Sequence, residues 1–509
     1  MNQQLGLLKR LKTRDGLSEI STAPLFTHSV LQYAKSLATS TSPLPFSQYG
    51  LLAGDPQSLN KIPSEDPRIF YNVATPSSVF ICGSQGSGKS HSLSCILEDC
   101  LIQSDRLGCL PNPLTGIVFH YDDYASDSVA APCEAAYLGS DPSVRVRVLC
   151  APTNISVIKD SYSMLNNVTV EALRLDEADL NTKRMLELMA FDKTQPLYVQ
   201  VVQRILREMR LTQQYNRGTF NYSEFTRKLA NEQLNADQKR GLQQRLDTLE
   251  SFMVPEQVSP LVQGKAGKKS NGGTKKRSGT SWTPKTGELI IVDLSCPCIT
   301  GTMACALFNI CLSIFLSDDS SVGRVIALDE AHRYMGESSE CETLTNSLLA
   351  AIRLQRHLGV RIVISTQEPT ISPKLLDLCS ITIVHRFSSP YWMSVLTKHL
   401  AGISKVSKVT SKLGNMSLDN EGEEEASRHG LQGITVSSED PVLDLFSQIV
   451  ELGTGEALVF APSAIVSLER QNSLEQETKV TPRKLAHHVL RVIMRDRITA
   501  DGGKSIMAT

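Results

Sequence analysis

Short apolar runs alternate with longer stretches of helical spacing through most of the chain. Ser78–Cys82 is apolar and stops at Gly83, the pattern of a strand buried on both faces. Lys89–Leu101 then places Leu93, Ile96 and Leu97 on one face of a helix. Further strands are predicted at Ile117–Phe119, Val144–Leu149, Leu289–Asp293, Val325–Leu328, Arg361–Ser365, Ile381–Val384 and Glu456–Phe460. Between them lie helices at Met303–Leu316 and near Leu344–Arg356, and Thr481–Arg495 reads as a last helix. Strands alternating with helices predict an α/β fold with a mostly parallel sheet.

The same pass divides the chain. Residues 1–72 lack long periodic runs and read as a loosely built lead-in. Residues 73–160 and 287–470 form two parts of one core, and 161–260, where Leu173, Leu180, Met185, Leu188, Val201, Ile205 and Leu206 recur at helical steps, form a helical insertion. Residues 261–286 are a linker, basic and free of acids from Gly264 to Gly279, and 415–430 include an acidic, apolar-poor loop. Residues 471–509 are expected to add the C-terminal helix and a tail.

Composition narrows the classes. At 509 residues the chain exceeds one ordinary core, and its net charge of -1 excludes a globally basic nucleic-acid binder, though not a local basic strip. Twelve cysteines at uneven spacings, several inside apolar runs, read as free thiols of a reducing compartment, cytoplasmic or nuclear. The basic first fourteen residues suit a ragged terminus better than a mitochondrial transit peptide. Cys296-Pro297-Cys298 lacks the spacing and second pair of a zinc site, and Met303–Leu316 is too short for a membrane span.

The chemistry concentrates in Gly83-Ser84-Gln85-Gly86-Ser87-Gly88-Lys89-Ser90, a Gly-x4-Gly-Lys-Ser motif between a predicted strand and a predicted helix. Glycines there let backbone N–H groups turn inward around phosphates, and the helix start adds its positive end, with His91 beside it. Lys89 is placed to reach the β- and γ-phosphates and Ser90 to coordinate Mg²⁺, with ATP as the nucleotide. Asp329, at the end of the apolar run Val325–Leu328, is positioned to hold a water of the Mg²⁺ shell, and Glu330 to polarise the attacking water. After Arg361–Ser365, Gln367 or Thr366 is a candidate γ-phosphate sensor. Asp329-Glu330-Ala331-His332 spells the DEAH sequence of RNA helicases, but about 240 positions separate Lys89 from Asp329 and no Gln-Arg-x-Gly-Arg segment follows.

Together these segments resemble the HerA/FtsK superfamily of hexameric P-loop motors, nearest the HerA-like branch. The likeness includes Gly83–Ser90, Ile291–Ser295, Leu328–His332, His357–Val360, Ser365–Pro369, Leu376–Cys379, His385-Arg386 and Thr454–Leu458. It implies a RecA-like core that assembles as a homo-oligomeric ring, ATP at subunit junctions, and duplex DNA as the partner moved by a translocase or helicase-like activity. By the same resemblance Glu330 is the catalytic acid, Gln367 the polar sensor, and Arg386 or Arg356 the arginine supplied across a junction. Glu368 stands where the family commonly has arginine, and residues 1–72 leave little room for a HerA-type N-terminal β-barrel. The alternative is a nucleotide-switched assembly protein that hydrolyses ATP without moving DNA.

Overall fold

The computed structural model describes residues 16–38, 46–59, 66–188, 197–216, 219–258, 279–317, 322–400, 441–471 and 479–502. The acidic loop, and the basic linker as far as residue 278, lie outside them.

Three short strands come first, β1 (Leu25–Thr27), β2 (Tyr49–Gly54) and β3 (Arg68–Asn72). They precede β4 (Ser78–Cys82), β5 (Gly108–Cys109), β6 (Thr115–His120), β7 (Arg145–Cys150), β8 (Val168–Ala172) and β9 (Glu288–Asp293). Next are β10 (Arg324–Leu328), β11 (Val360–Thr366), β12 (Ile381–Val384) and β13 (Glu456–Phe460). The chain closes with β14 (Ile465–Gln471), β15 (Lys479–Lys484) and β16 (Leu490–Met494).

All join one sheet in the order β15-β14-β1-β3-β2-β16-β13-β12-β4-β11-β10-β6-β9-β7-β8, with β5 beside β2. From β12 to β8 every pairing is parallel. The cause is legible in the side chains. Every residue of β4, β6, β9, β10, β11 and β12 is buried, so both faces must be covered, and helices cover them. One face packs on the helix Lys89–Leu101, through Leu93, Ile96 and Leu97. The other packs on Gly301–Leu316, whose N-terminus is capped by the Thr300 side chain accepting from Met303 N, and on Ser339–Arg353.

The helical segments Thr182–Leu188, Leu197–Asn216, Tyr222–Ala230, Ala236–Phe252 and Pro255–Val258 extend that second core, and Arg245 ties them to Glu340 at 3.0 Å. Val168–Ala172, at the start of the stretch expected to be helical, is instead the edge strand β8.

Two expectations at the chain ends are corrected. The supposed lead-in holds β1–β3 and the helix His28–Leu37, around a small core in which Phe26 stacks on Phe46 with ring centroids 3.8 Å apart. Thr481–Arg495 is not a helix; it supplies part of β15 and all of β16. Leu490, Val492 and Met494 are buried while the residues between them are less so, a period of two that a sheet satisfies and a helix does not. These end segments form a half-sheet that is antiparallel except where β1 meets β14, β16 pairing with β13 and β2.

Among the described residues no helix is long and apolar enough to cross a membrane.

Candidate functional site

Register brings the motifs together. In the parallel half Cys82 stands opposite Thr366 and Val384, and Leu328 opposite Ile364 and Phe119. The segments that follow these strand ends, Gly83–Gly88, Asp329-Glu330, Gln367 and His385-Arg386, therefore emerge along one edge of the sheet. Strand β11 lies between β4 and β10, so the tip carrying Gln367 sits between the glycine loop and the two acids.

Within the loop Gly83, Gly86 and Gly88 have φ of 155°, 72° and 111°. At Gly88 the conformation is left-handed and a Cβ would lie 3.2 Å from Gly455 N, so backbone freedom and close approach both require glycine. The back of the loop is braced. Ser84 donates from N and from Oγ to the Arg386 carbonyl, each at 2.8 Å, and Ser87 Oγ donates to Ser84 O at 2.7 Å. Beneath it His385 is fully buried. Its Nδ1 donates to the Glu456 carbonyl at 2.9 Å, which leaves Nε2 of the neutral ring to accept from Ser92 Oγ at 2.8 Å. Burial pushes His385 down to about 4, so it stays neutral at physiological pH.

Gln85, Gly86, Gly88, Lys89, Ser90 and His91 line a cleft of about 510 Å³ whose far side carries Glu330. Gly83, Ser84 and Ser87 are not among its lining residues; they shape the loop from behind. His91 donates from Nε2 to the Arg495 carbonyl at 2.7 Å. Lys89 is 4% exposed and donates to Ser84 O at 3.0 Å. Burial pulls its pKa below the ordinary lysine range, while Glu330 and then Asp329 push it back. An ammonium held in that balance gains from an incoming anion.

Glu330 has φ 47° and ψ 45°, a left-handed conformation that costs a non-glycine residue about 1–2 kcal/mol. Such strain marks positions where side-chain direction matters. Its Oε2 accepts from Gln367 Nε2 at 3.3 Å and lies 3.3 Å from His332 Nδ1. Gln367 thus reaches the acid on the next strand, whereas Thr366 is buried and donates to the Glu368 carbonyl of its own loop. Asp329 is 3% exposed; its Oδ1 has no hydrogen-bond partner.

The two arginines separate. Arg386 is exposed beside the loop that its carbonyl braces. Arg356 is exposed in the turn Gln355–Leu358, before β11 begins. That is the opposite end of a seven-residue strand from its own chain's cleft, roughly 20 Å away.

Neither the protein-family models nor the curated proteins yield a match to the sequence. Among solved structures the chain is similar to VirB4 of Thermoanaerobacter pseudethanolicus, with a TM-score of 0.40 and 10% identity over 88% of this chain and 96% of that one. It is similar to the plasmid coupling protein TrwB in complex with ADP and Mg²⁺, at a TM-score of 0.39 and 13% identity over 84% of this chain and 86% of that one. A third likeness is to the genome packaging NTPase B204 from Sulfolobus turreted icosahedral virus 2 in complex with ATP-gammaS, at a TM-score of 0.23 and 12% identity over 38% of this chain and 73% of that one. By name B204 is an NTPase, and none of the three names singles out the HerA-like branch. The α/β P-loop fold of this chain stands on its own strand order and glycine loop.

Part of the site was not foreseen. Thr454 and Gly455, Ile493 and Met494, Asp496, Asp501 and Glu134 complete the cleft. The alternation of Leu490, Val492 and Met494 was the available signal for the β16 wall. Nothing local marks Arg495, which pairs with Glu98 at 2.6 Å and Asp99 at 3.0 Å across about 400 positions. A larger cleft of about 900 Å³ in the insertion, lined by Leu229, Leu234, Leu242 and Leu246, holds none of the predicted site residues.

Proposed function

We propose that the protein is a Mg²⁺-dependent ATP hydrolase of HerA/FtsK type, working as a homo-oligomeric ring that moves duplex DNA. One observation carries the hydrolase reading: Lys89 and Glu330, 241 positions apart in the sequence, share a single cleft at the mouth of a glycine loop.

The residues present suit Mg²⁺. Asp329 keeps a buried carboxylate oxygen without a protein partner, and Ser90 opens onto the cleft. A hard cation prefers such oxygen donors. When bound, the cation would neutralise phosphate charge and orient the nucleotide. The backbone amides of Gly86–Ser90 would cradle the phosphates, and the Lys89 ammonium would exchange the Ser84 carbonyl for the β- and γ-oxygens. Glu330 would orient a water and take its proton as the water oxygen bonds to the γ-phosphorus and the bridging P–O bond breaks. Gln367 would fix the carboxylate of Glu330. Arg386 and Arg356 are both exposed, as an arginine acting across a subunit junction must be, Arg386 beside its own loop and Arg356 before β11 begins.

ATP hydrolysis by the purified full chain, measured with and without duplex DNA over a salt series, tests the motor. Stimulation that fades as salt rises is expected. Hydrolysis without stimulation would leave the nucleotide-switched assembly protein. A mass measurement with and without ATP and Mg²⁺ tests the ring.

A further inference from the structure

Behind the cleft lies a cluster that the hydrolytic reading does not use. His120 ends β6, Asp329 follows β10 at the next position of the same register, and Cys133 directly precedes the turn Glu134–Ser140. They are 8%, 3% and 0% exposed. His120 Nδ1 is 3.4 Å from Asp329 Oδ2, and Cys133 Sγ is 3.7 Å from that same oxygen. All three donor atoms lie within 4.8 Å of one another. Neither ring nitrogen of His120 makes a hydrogen bond, a rare condition for a buried imidazole.

The spacing has a direct interpretation. A tetrahedral cation with bonds of about 2.0–2.3 Å to N, O and S has ligand–ligand edges of about 3.3–3.6 Å. The separation of 3.4 Å falls within that range, 3.7 Å lies just beyond it, and the third pair is within 4.8 Å. A thiolate, an imidazole and one carboxylate oxygen suit a borderline-soft ion rather than hard Mg²⁺. We propose that Cys133, His120 and Asp329 bind a divalent cation of the zinc class, and that this binding withdraws Asp329 from Mg²⁺ and halts hydrolysis. Metal–sulfur, metal–nitrogen and metal–oxygen bonds form, the thiol proton leaves to solvent, and nothing is oxidised or reduced. Glu134 and Glu330, chain neighbours of Cys133 and Asp329, line the cleft, which supplies the path inward. Three protein ligands leave a fourth position for water.

The metal site stands by itself; only its inhibitory consequence rests on the proposed ATPase. Cobalt(II), a spectroscopic stand-in for zinc, is titrated into the full chain without nucleotide, and bound ion is then displaced with zinc. One tetrahedral equivalent with thiolate-to-metal charge transfer is expected. It should weaken at least tenfold in Cys133→Ser and in His120→Asn, two variants because either alone could misfold, and persist in Cys298→Ser and Lys89→Ala. Titrations of Cys133→Ser and His120→Asn that both match the wild type would overturn the site. At saturating Mg·ATP, zinc should inhibit the wild type at concentrations at least tenfold lower than Cys133→Ser. Equal inhibition of the two would remove the regulatory claim. A chain that hydrolyses nothing would defeat the ATPase reading, and the cobalt spectrum would still decide the site.

Discussion

The parallel and antiparallel halves of the sheet meet at the cleft and contribute different things. From the parallel half come Lys89, at the start of the helix after β4, and Glu330, with Asp329 buried beside it at the end of β10 and outside the cleft lining. The antiparallel half, built from both ends of the described chain, gives a wall, Ile493 and Met494, and a clamp, Arg495 against Glu98 and Asp99 on the helix that Lys89 begins. Chemistry is thus placed by local motif, and the geometry of its container by pairs distant in sequence. Burial raises Asp99 to about 7 even against the opposing pull of Arg495, so this half of the clamp is poised to protonate near neutral pH.

If that division is right, each half fails in its own way. The largest effect belongs to the parallel half: Glu330→Gln should cut hydrolysis about 10³-fold, roughly 4 kcal/mol, with nucleotide binding intact. Near-normal turnover in a steady-state phosphate-release assay would assign the water to another group. Next comes the antiparallel half. Arg495→Ala leaves Asp99 buried without its partner while Glu98 keeps Ile498, Thr499 and Arg497, and removing one member of a buried pair costs about 3–4 kcal/mol. Denaturant unfolding should show that loss, and a drop below 1 kcal/mol would mean the clamp is ornamental. Lys89→Ala should weaken ATP about 100-fold, near 3 kcal/mol, with unfolding little changed. Retained affinity in a titration with labelled ATP would contradict the cradle.

The smallest effect tests the seam where the halves join. His385 has a pKa of about 4 in the folded protein against 6.5 unfolded, so the folded state binds fewer protons between those values. Its contribution to stability is therefore complete above pH 6.5 and lost as pH falls toward 4, about 2 kcal/mol of it between pH 7 and pH 5. The pH dependence of denaturant unfolding should be shallower by that amount in His385→Asn, and identical slopes would place the titration elsewhere.

The chain itself determined the parallel core and the positions of its candidate site residues. An unbroken apolar run such as Val325–Leu328 has few environments open to it, and a Gly-x4-Gly-Lys-Ser loop between a strand and a helix dictates its own backbone. Tertiary structure alone decided the rest. Strands as short as Leu25–Thr27 bury too little by themselves, and Leu490–Met494 becomes a strand because β13 and β2 stand ready to pair with it. The ionic clamp and the His120–Cys133–Asp329 cluster join residues that share no local pattern, and only the register of the folded sheet brings them within bonding distance. Local motifs encode what a residue can do; the company it keeps depends on a fold closed by contacts hundreds of positions apart.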